Sequence, residues 1–144
     1  MNAARARPVT EAGARARAPR VLLVEDDAPS ARRLTQLLSE DGFAVEWIAD
    51  GPAACARLAS GPRPDALVVD YRLPGGDGMT VARAARAQWR DIPLLFVTSY
   101  SEVVQRQPAF DPPAVLLSKP VAYAELVGAL EGAIDGGARV RDPV

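Results

Sequence analysis

The stretch ALVVDYRLPGGDGM, residues 66–79, carries four apolar residues straight into an acid and follows that acid with a proline and three glycines. A near-continuous apolar run of this length suits a strand covered on both faces, as in a parallel sheet flanked by helices. Proline presets one backbone angle, and glycine accepts conformations that other residues resist, so the residues after the acid read as a constrained turn. The stretch therefore predicts a buried strand that ends on Asp70 and holds its carboxylate rigidly at the rim of a sheet.

Three more short apolar runs stand at residues 21–24 (VLLV), 94–97 (LLFV) and 115–117 (VLL). FAVEWIA, residues 43–49, alternates more and predicts an edge strand. Helical spacing separates the runs. After Asp27, an N-cap with Pro29 in the first turn, Ala31, Leu34, Leu37 and Leu38 recur until Gly42 offers a C-cap. Residues 52–60, 78–89 and 121–134 repeat the theme. Between Ser101 and Pro113 three prolines interrupt it, which predicts a fourth helix that is short or disordered. The order is (βα)5, an α/β fold with a doubly wound five-stranded parallel sheet.

Composition narrows the chemistry. At 144 residues and 49% hydrophobic content, the chain suits one well-buried domain. No apolar stretch reaches membrane-spanning length and residues 1–20 lack a secretory apolar run, so a cytoplasmic protein without membrane contact is expected. Histidine is absent, which removes Ser-His or Cys-His nucleophiles, imidazole metal ligands and phosphohistidine from this chain. Cys55 is the sole cysteine; it excludes an internal disulfide and reads as a buried core thiol. Residues 1–20 hold five arginines against Glu11, whereas residues 21–135 hold sixteen acids against ten basic residues. The basic segment has neither aromatic residues nor an amphipathic pattern, so no direct nucleic-acid binding is expected. Residues 1–19 read as a disordered Ala/Arg-rich tail, 20–135 as the domain and 136–144 as a loose C-terminal tail.

In an open parallel sheet, ligands collect beyond the carboxyl ends of the strands where the strand order reverses. Glu25, Asp26, Asp27, Asp70, Thr98 and Lys119 each end or follow one of the inferred strands. Singly, each has an ordinary structural use: a helix cap, a turn former, a strand hydroxyl, a solvated charge. Jointly they place acids, a hydroxyl and an amine in one crevice. Carboxylates crowded together need a cation or protonation. Mg2+ suits the set, with Asp26 and Asp70 as direct ligands and Glu25 acting through water. Lys119 is the one lysine beside sixteen arginines, and its compact ammonium reaches a phosphoryl oxygen where a guanidinium fork does not fit.

VLLVEDD, the DYRLPGGDG stretch from Asp70, FVTS and LSKP, in this order, resemble the receiver domain of bacterial two-component response regulators. The resemblance covers about residues 20–135 and implies the flavodoxin-like receiver fold. It implies that Asp70 accepts a phosphoryl group from a histidine kinase or histidine phosphotransfer protein, and that Glu25, Asp26, Asp70 and the backbone carbonyl of Arg72 hold Mg2+. Thr98 and Lys119 would bind phosphoryl oxygens, and the protein would catalyse at most its own phosphorylation and dephosphorylation. Leu116 stands where receivers often carry an aromatic switch. Phe96, Thr98 and Tyr100 instead resemble single-domain receivers with a Phe-Xaa-Thr-Gly-Tyr signature, the FAT GUY group, with Val97 for its alanine and Ser99 for its glycine. Thr98 and Tyr100 are then the switch pair, expected to order residues 99–113 on phosphorylation. With nine residues after Asp135, the expectation is a single-domain regulator whose output is protein contact or phosphorelay to an unspecified target. The competing readings are a pseudo-receiver that binds partners constitutively and an aspartate-nucleophile phosphatase. The latter usually needs a second acid two residues after the nucleophile, where this chain has Arg72.

Overall fold

The computed structural model describes residues 17–99, 101–107 and 109–141. In chain order the elements are β1 (Arg20–Val24), α1 (Ala28–Glu40), β2 (Ala44–Ile48), α2 (Gly51–Ser60), β3 (Ala66–Asp70), β4 (Arg72–Leu73), β5 (Gly76–Asp77), α3 (Gly78–Gln88), β6 (Leu94–Thr98), α4 (Ser101–Gln105), β7 (Val115–Ser118) and α5 (Tyr123–Arg141). Five strands form one parallel sheet in the order β2-β1-β3-β6-β7. The expected doubly wound fold is present, with the alternating FAVEWIA segment at one edge.

Strand alternation builds two cores. Leu22, Val24, Leu67, Val69, Leu94 and Phe96 pack against α2 and α3 through Ala54, Leu58, Val81, Ala82 and Ala85. Val21, Leu23, Ala66, Val68 and Leu95 face the other way and meet Ala31 and Leu38 of α1 and Leu126, Val127 and Leu130 of α5. All five residues of β3 are buried, which is why its sequence is apolar on both faces until Asp70. Each fully buried Leu, Val or Phe contributes about 1.5–3 kcal/mol relative to exposure.

Helices α1, α2 and α3 start at the carboxyl rim of the sheet, each on an aspartate. Asp27 accepts the Ser30 N–H at 3.0 Å, Asp50 the Ala53 N–H at 2.7 Å and Asp77 the Thr80 N–H at 3.0 Å. Such caps are worth about 1 kcal/mol each. Asp41 caps the C-terminal end of α1, and Gly42 follows with φ +97°, a conformation that favours glycine.

Several details depart from the sequence reading. The turn after Asp70 is a miniature hairpin, β4 paired with β5, with Gly75 at φ +77° in the tight turn between them. The fourth helix is short, as expected, at five residues; the loop after it is held by the Arg86 side chain, whose Nη1 donates to Pro112 O at 2.6 Å and whose charge lies 5.6 Å from the Phe110 ring centre, while its Nε–H donates to Ile92 O, ahead of β6, at 2.9 Å. α5 runs to Arg141, past the position where a loose tail was expected from residue 136. The apolar periodicity stops at Ile134, but extending a formed helix costs far less than starting one, and the added residues include good helix formers. Cys55 is half-buried against the α2–α3 core. At the N-terminus, Arg17 reaches Asp65 at 2.9 Å and Pro19 O accepts the Ala44 N–H at 2.8 Å; the expected disorder over residues 1–16 lies outside the described residues. No helix among the described residues is long and apolar enough to cross a membrane.

Gly78 opens α3 directly beneath the end of β3, and its N–H donates to Tyr71 O at 2.5 Å. A Cβ at Gly78 would lie 2.9 Å from Tyr71 Cα and closer still to the Asp70 carbonyl oxygen, so backbone would have to move. Gly78→Ala should destabilise the fold by about 1–3 kcal/mol. Gly132 in α5 has nothing within 4 Å of a built Cβ. Gly132→Ala should be stabilising by roughly 0.5–1 kcal/mol, and urea midpoints of the two variants measure the contrast.

Candidate functional site

The sheet order reverses between β1 and β3, because β1 is followed by β2 on one side while β3 leads on to β6 and β7 on the other. The crevice of such a sheet opens beyond these two strand ends. The β1–β2 ladder closes at Val24 and Ile48, and the next three residues, Glu25, Asp26 and Asp27, carry the chain over the rim into α1. β3 ends on Asp70 itself, opposite Val97 of β6, so that Thr98 is one residue further along the neighbouring strand. Thr98 pairs with Ser118 at the end of β7, and its carbonyl accepts the Lys119 N–H at 2.9 Å. The parallel register thus delivers residues up to 94 positions apart to one end of the sheet.

Glu25, Asp26 and Asp70 each offer a carboxylate oxygen, and the three oxygens lie within 4.8 Å of one another. Glu25 and Asp70 are buried and Asp26 is exposed. Lys119 Nζ lies 3.1 Å from Asp70 Oδ2 and 3.9 Å from Glu25 Oε1. The other Asp70 oxygen, Oδ1, accepts the Arg72 N–H at 3.3 Å. Glu25 Oε2 accepts the Asp27 N–H at 3.0 Å. The backbone of Glu25 is held from β2: its N–H donates to Ile48 O at 3.1 Å, and its carbonyl accepts the Trp47 indole N–H at 2.7 Å.

Burial raises the Glu25 carboxyl above the usual carboxylate range, and the negative charges of Asp70 and Asp26 push the same way against the Asp27 N–H and Lys119. Burial alone would lower the Lys119 ammonium; its bond to Asp70 and the charges of Asp70, Glu25 and Asp26 outweigh that and hold it above its ordinary value. Three acids facing one ammonium leave the cluster short of positive charge. Its donors are all oxygen, the set that hard divalent cations take. The cluster is therefore a candidate metal site with a buried carboxylate held beside an ammonium.

Of the residues singled out from the sequence, Glu25, Asp26, Asp70 and Lys119 meet in one cluster, with the Arg72 backbone beside Asp70 and buried Thr98 on the adjoining strand end. Tyr100 lies outside the described residues. Leu116 is half-buried in β7, against the same core cluster as Phe96, and Phe110 of the loop lies 6.0 Å from the Phe96 ring, tilted 42°. Sequence reading gave Trp47 no role at the site. Its alternating strand was recognised, but a bond to a residue 22 positions earlier depends on a strand register that periodicity does not reveal.

The family model of the response regulator receiver domain matches residues 21–131. Response regulator MprA of Mycobacterium avium is 39% identical over 109 residues, covering 75% of this chain and 47% of that protein. Transcriptional regulatory protein QseB of Haemophilus influenzae is 37% identical over 116 residues, covering 80% and 52%. The chain spans about half the length of these curated relatives. Among solved structures, the HemR receiver domain from Leptospira biflexa is 33% identical with a TM-score of 0.72, covering 81% of this chain and 94% of that one. A response regulator receiver protein from Sinorhizobium medicae superposes with a TM-score of 0.75 at 28% identity, covering 83% and 97%. The shared fold, the clustered acids at the sheet's reversal point and the match across residues 21–131 together make this chain a member of the response regulator receiver domain family.

Proposed function

We propose that this chain accepts a phosphoryl group on Asp70 from the phosphohistidine of a histidine kinase or histidine phosphotransfer protein, in a Mg2+-dependent reaction in the cytoplasm, with output through protein contact or phosphorelay. A receiver is a phosphoacceptor rather than an enzyme acting on other substrates. The observation that carries the reading is the Asp70 carboxylate, buried at the end of the central strand, with one oxygen 3.1 Å from Lys119 and two further acids within reach of a shared cation.

Phosphoryl transfer asks little covalent chemistry of a protein and depends on positioning and charge neutralisation. One Asp70 oxygen attacks phosphorus, an O–P bond forms as the N–P bond breaks, and the donor imidazole leaves with the electron pair. The N–H of Arg72 orients the carboxylate through Oδ1, and Lys119 offers a donor to the incoming phosphoryl oxygens. Thr98, tied through its carbonyl to the Lys119 backbone, supplies a hydroxyl on the next strand end. Glu25, Asp26, Asp70 and the Arg72 carbonyl would hold Mg2+, which would neutralise negative charge on the acids and the phosphoryl group. The turnover-phosphatase alternative lacks its second acid, since position 72 is an arginine whose backbone already serves Asp70.

Incubation with Mg2+ and a small acyl phosphate, followed by intact-mass measurement, should show one added phosphoryl group. Asp70→Asn should abolish it, and labelling at the wild-type level would overturn the assignment. Lys119→Arg keeps the charge but replaces a compact ammonium with a wider planar head, and should slow phosphorylation by roughly tenfold or more in the same time course.

The raised Glu25 carboxyl carries a further expectation. The folded chain protonates this group at higher pH than the unfolded chain does. Its stabilising contribution is therefore full at low pH and lost as pH rises through the ordinary carboxylate range to the raised folded value. In cation-free buffer, Glu25→Gln should unfold at a higher temperature than wild type at pH 7, and Mg2+ should stabilise the variant less.

A further inference from the structure

The backbone of Glu25 is gripped on both sides by β2. Its N–H meets Ile48 O at 3.1 Å, closing the β1–β2 ladder, and its carbonyl takes the Trp47 indole N–H at 2.7 Å. A peptide unit is planar, so the Glu25 carbonyl lies in one plane with the nitrogen and Cα of Asp26. Holding that oxygen and the preceding N–H fixes the rotation between them and hence the direction in which Asp26 leaves the main chain. One bond from an edge strand therefore bears on both acids of the rim.

The ring is placed to hold that bond firmly. Trp47 is half-buried and packs with the α1 and α5 core, on the face where its register partner Leu23 lies. The indole thus spans from the core to the rim, with its body in apolar surroundings and its one donor on the acidic turn. Without such an anchor, mutual repulsion among Glu25, Asp26 and Asp70 favours a turn that opens away from β3.

We propose that Trp47 is a positioning residue: its indole N–H sets the Glu25–Asp26 peptide so that both acids converge with Asp70 on a divalent cation. The inference rests on the phosphoacceptor reading and adds to it a residue that touches neither cation nor phosphate. Coupling of this kind is reciprocal, so a cation bound by the acids alters the environment of the indole N–H.

The test uses Trp47→Phe, which keeps an aromatic ring in the core and removes the donor. Amide shifts followed by two-dimensional NMR during an Mg2+ titration give the affinity, and thermal unfolding in cation-free buffer reports the fold. The variant should bind Mg2+ about fivefold more weakly, which converts to ~1 kcal/mol at 1.4 kcal/mol per factor of ten. An unchanged affinity in a folded variant overturns the proposal. In the wild-type protein, the Trp47 indole resonance should move with the same midpoint as the Glu25 and Asp26 amides, while that of Trp89 stays fixed. This arm decides the matter if the variant does not fold, and a Trp47 indole signal indifferent to Mg2+ overturns the role. A wild-type protein that binds no Mg2+ removes the metal-dependent reading itself and this inference with it. A protein that binds Mg2+ with Trp47 uninvolved removes only the inference.

Discussion

Three like-charged carboxylates meet at the ends of β1 and β3, and the fold has to keep them there. Their oxygens lie within 4.8 Å of one another, and Lys119 faces two of them. Much of the surrounding structure can be understood as restraint on this repulsion. β3 is buried along its whole length, so Asp70 has no freedom to withdraw. The Asp27 N–H binds Glu25 from the start of α1, and β2 secures the Glu25 backbone. Lys119 is fastened to the end of β6 through Thr98 before its side chain reaches the acids. Rigidity of this kind suits the proposed chemistry: a site already arranged around negative charge needs little rearrangement to take a phosphoryl group.

The same restraint accounts for how Gly78 is used. The helix that follows β3 starts so close to it that the Gly78 N–H bonds the carbonyl of Tyr71. The miniature β4–β5 hairpin folds the intervening residues out of the way, and Arg72 at its start donates its N–H to Asp70 Oδ1. A longer turn would leave Asp70 at the end of a loop; this one sets it between two backbone anchors.

Much of this was legible in the sequence because it is local. Apolar runs at 21–24, 66–69 and 94–97 announce strands buried on both faces, and Asp27 with Pro29 announces the start of α1. The acids, Thr98 and Lys119 could be placed together once the strands were assumed parallel, since each follows a strand directly. What stayed hidden depends on register or on tertiary packing. The Trp47 bond joins residues 22 apart, and the Arg86 contact with Pro112 joins residues 26 apart. The continuation of α5 to Arg141 has no periodic apolar residue to mark it beyond Ile134, because helix extension needs backbone bonds rather than a buried face.

The grip of Arg86 on the loop after α4 sets a mechanical boundary. Its guanidinium fastens Pro112 and covers Phe110, whose ring rests against Phe96 two residues before Thr98. The span between Thr98 and Phe110 is thus moored at both ends, by a buried strand on one side and by α3 on the other. Phe96 and Arg86 thus tie the loop at Phe110 and Pro112 to the buried strand that ends on Thr98 and to α3.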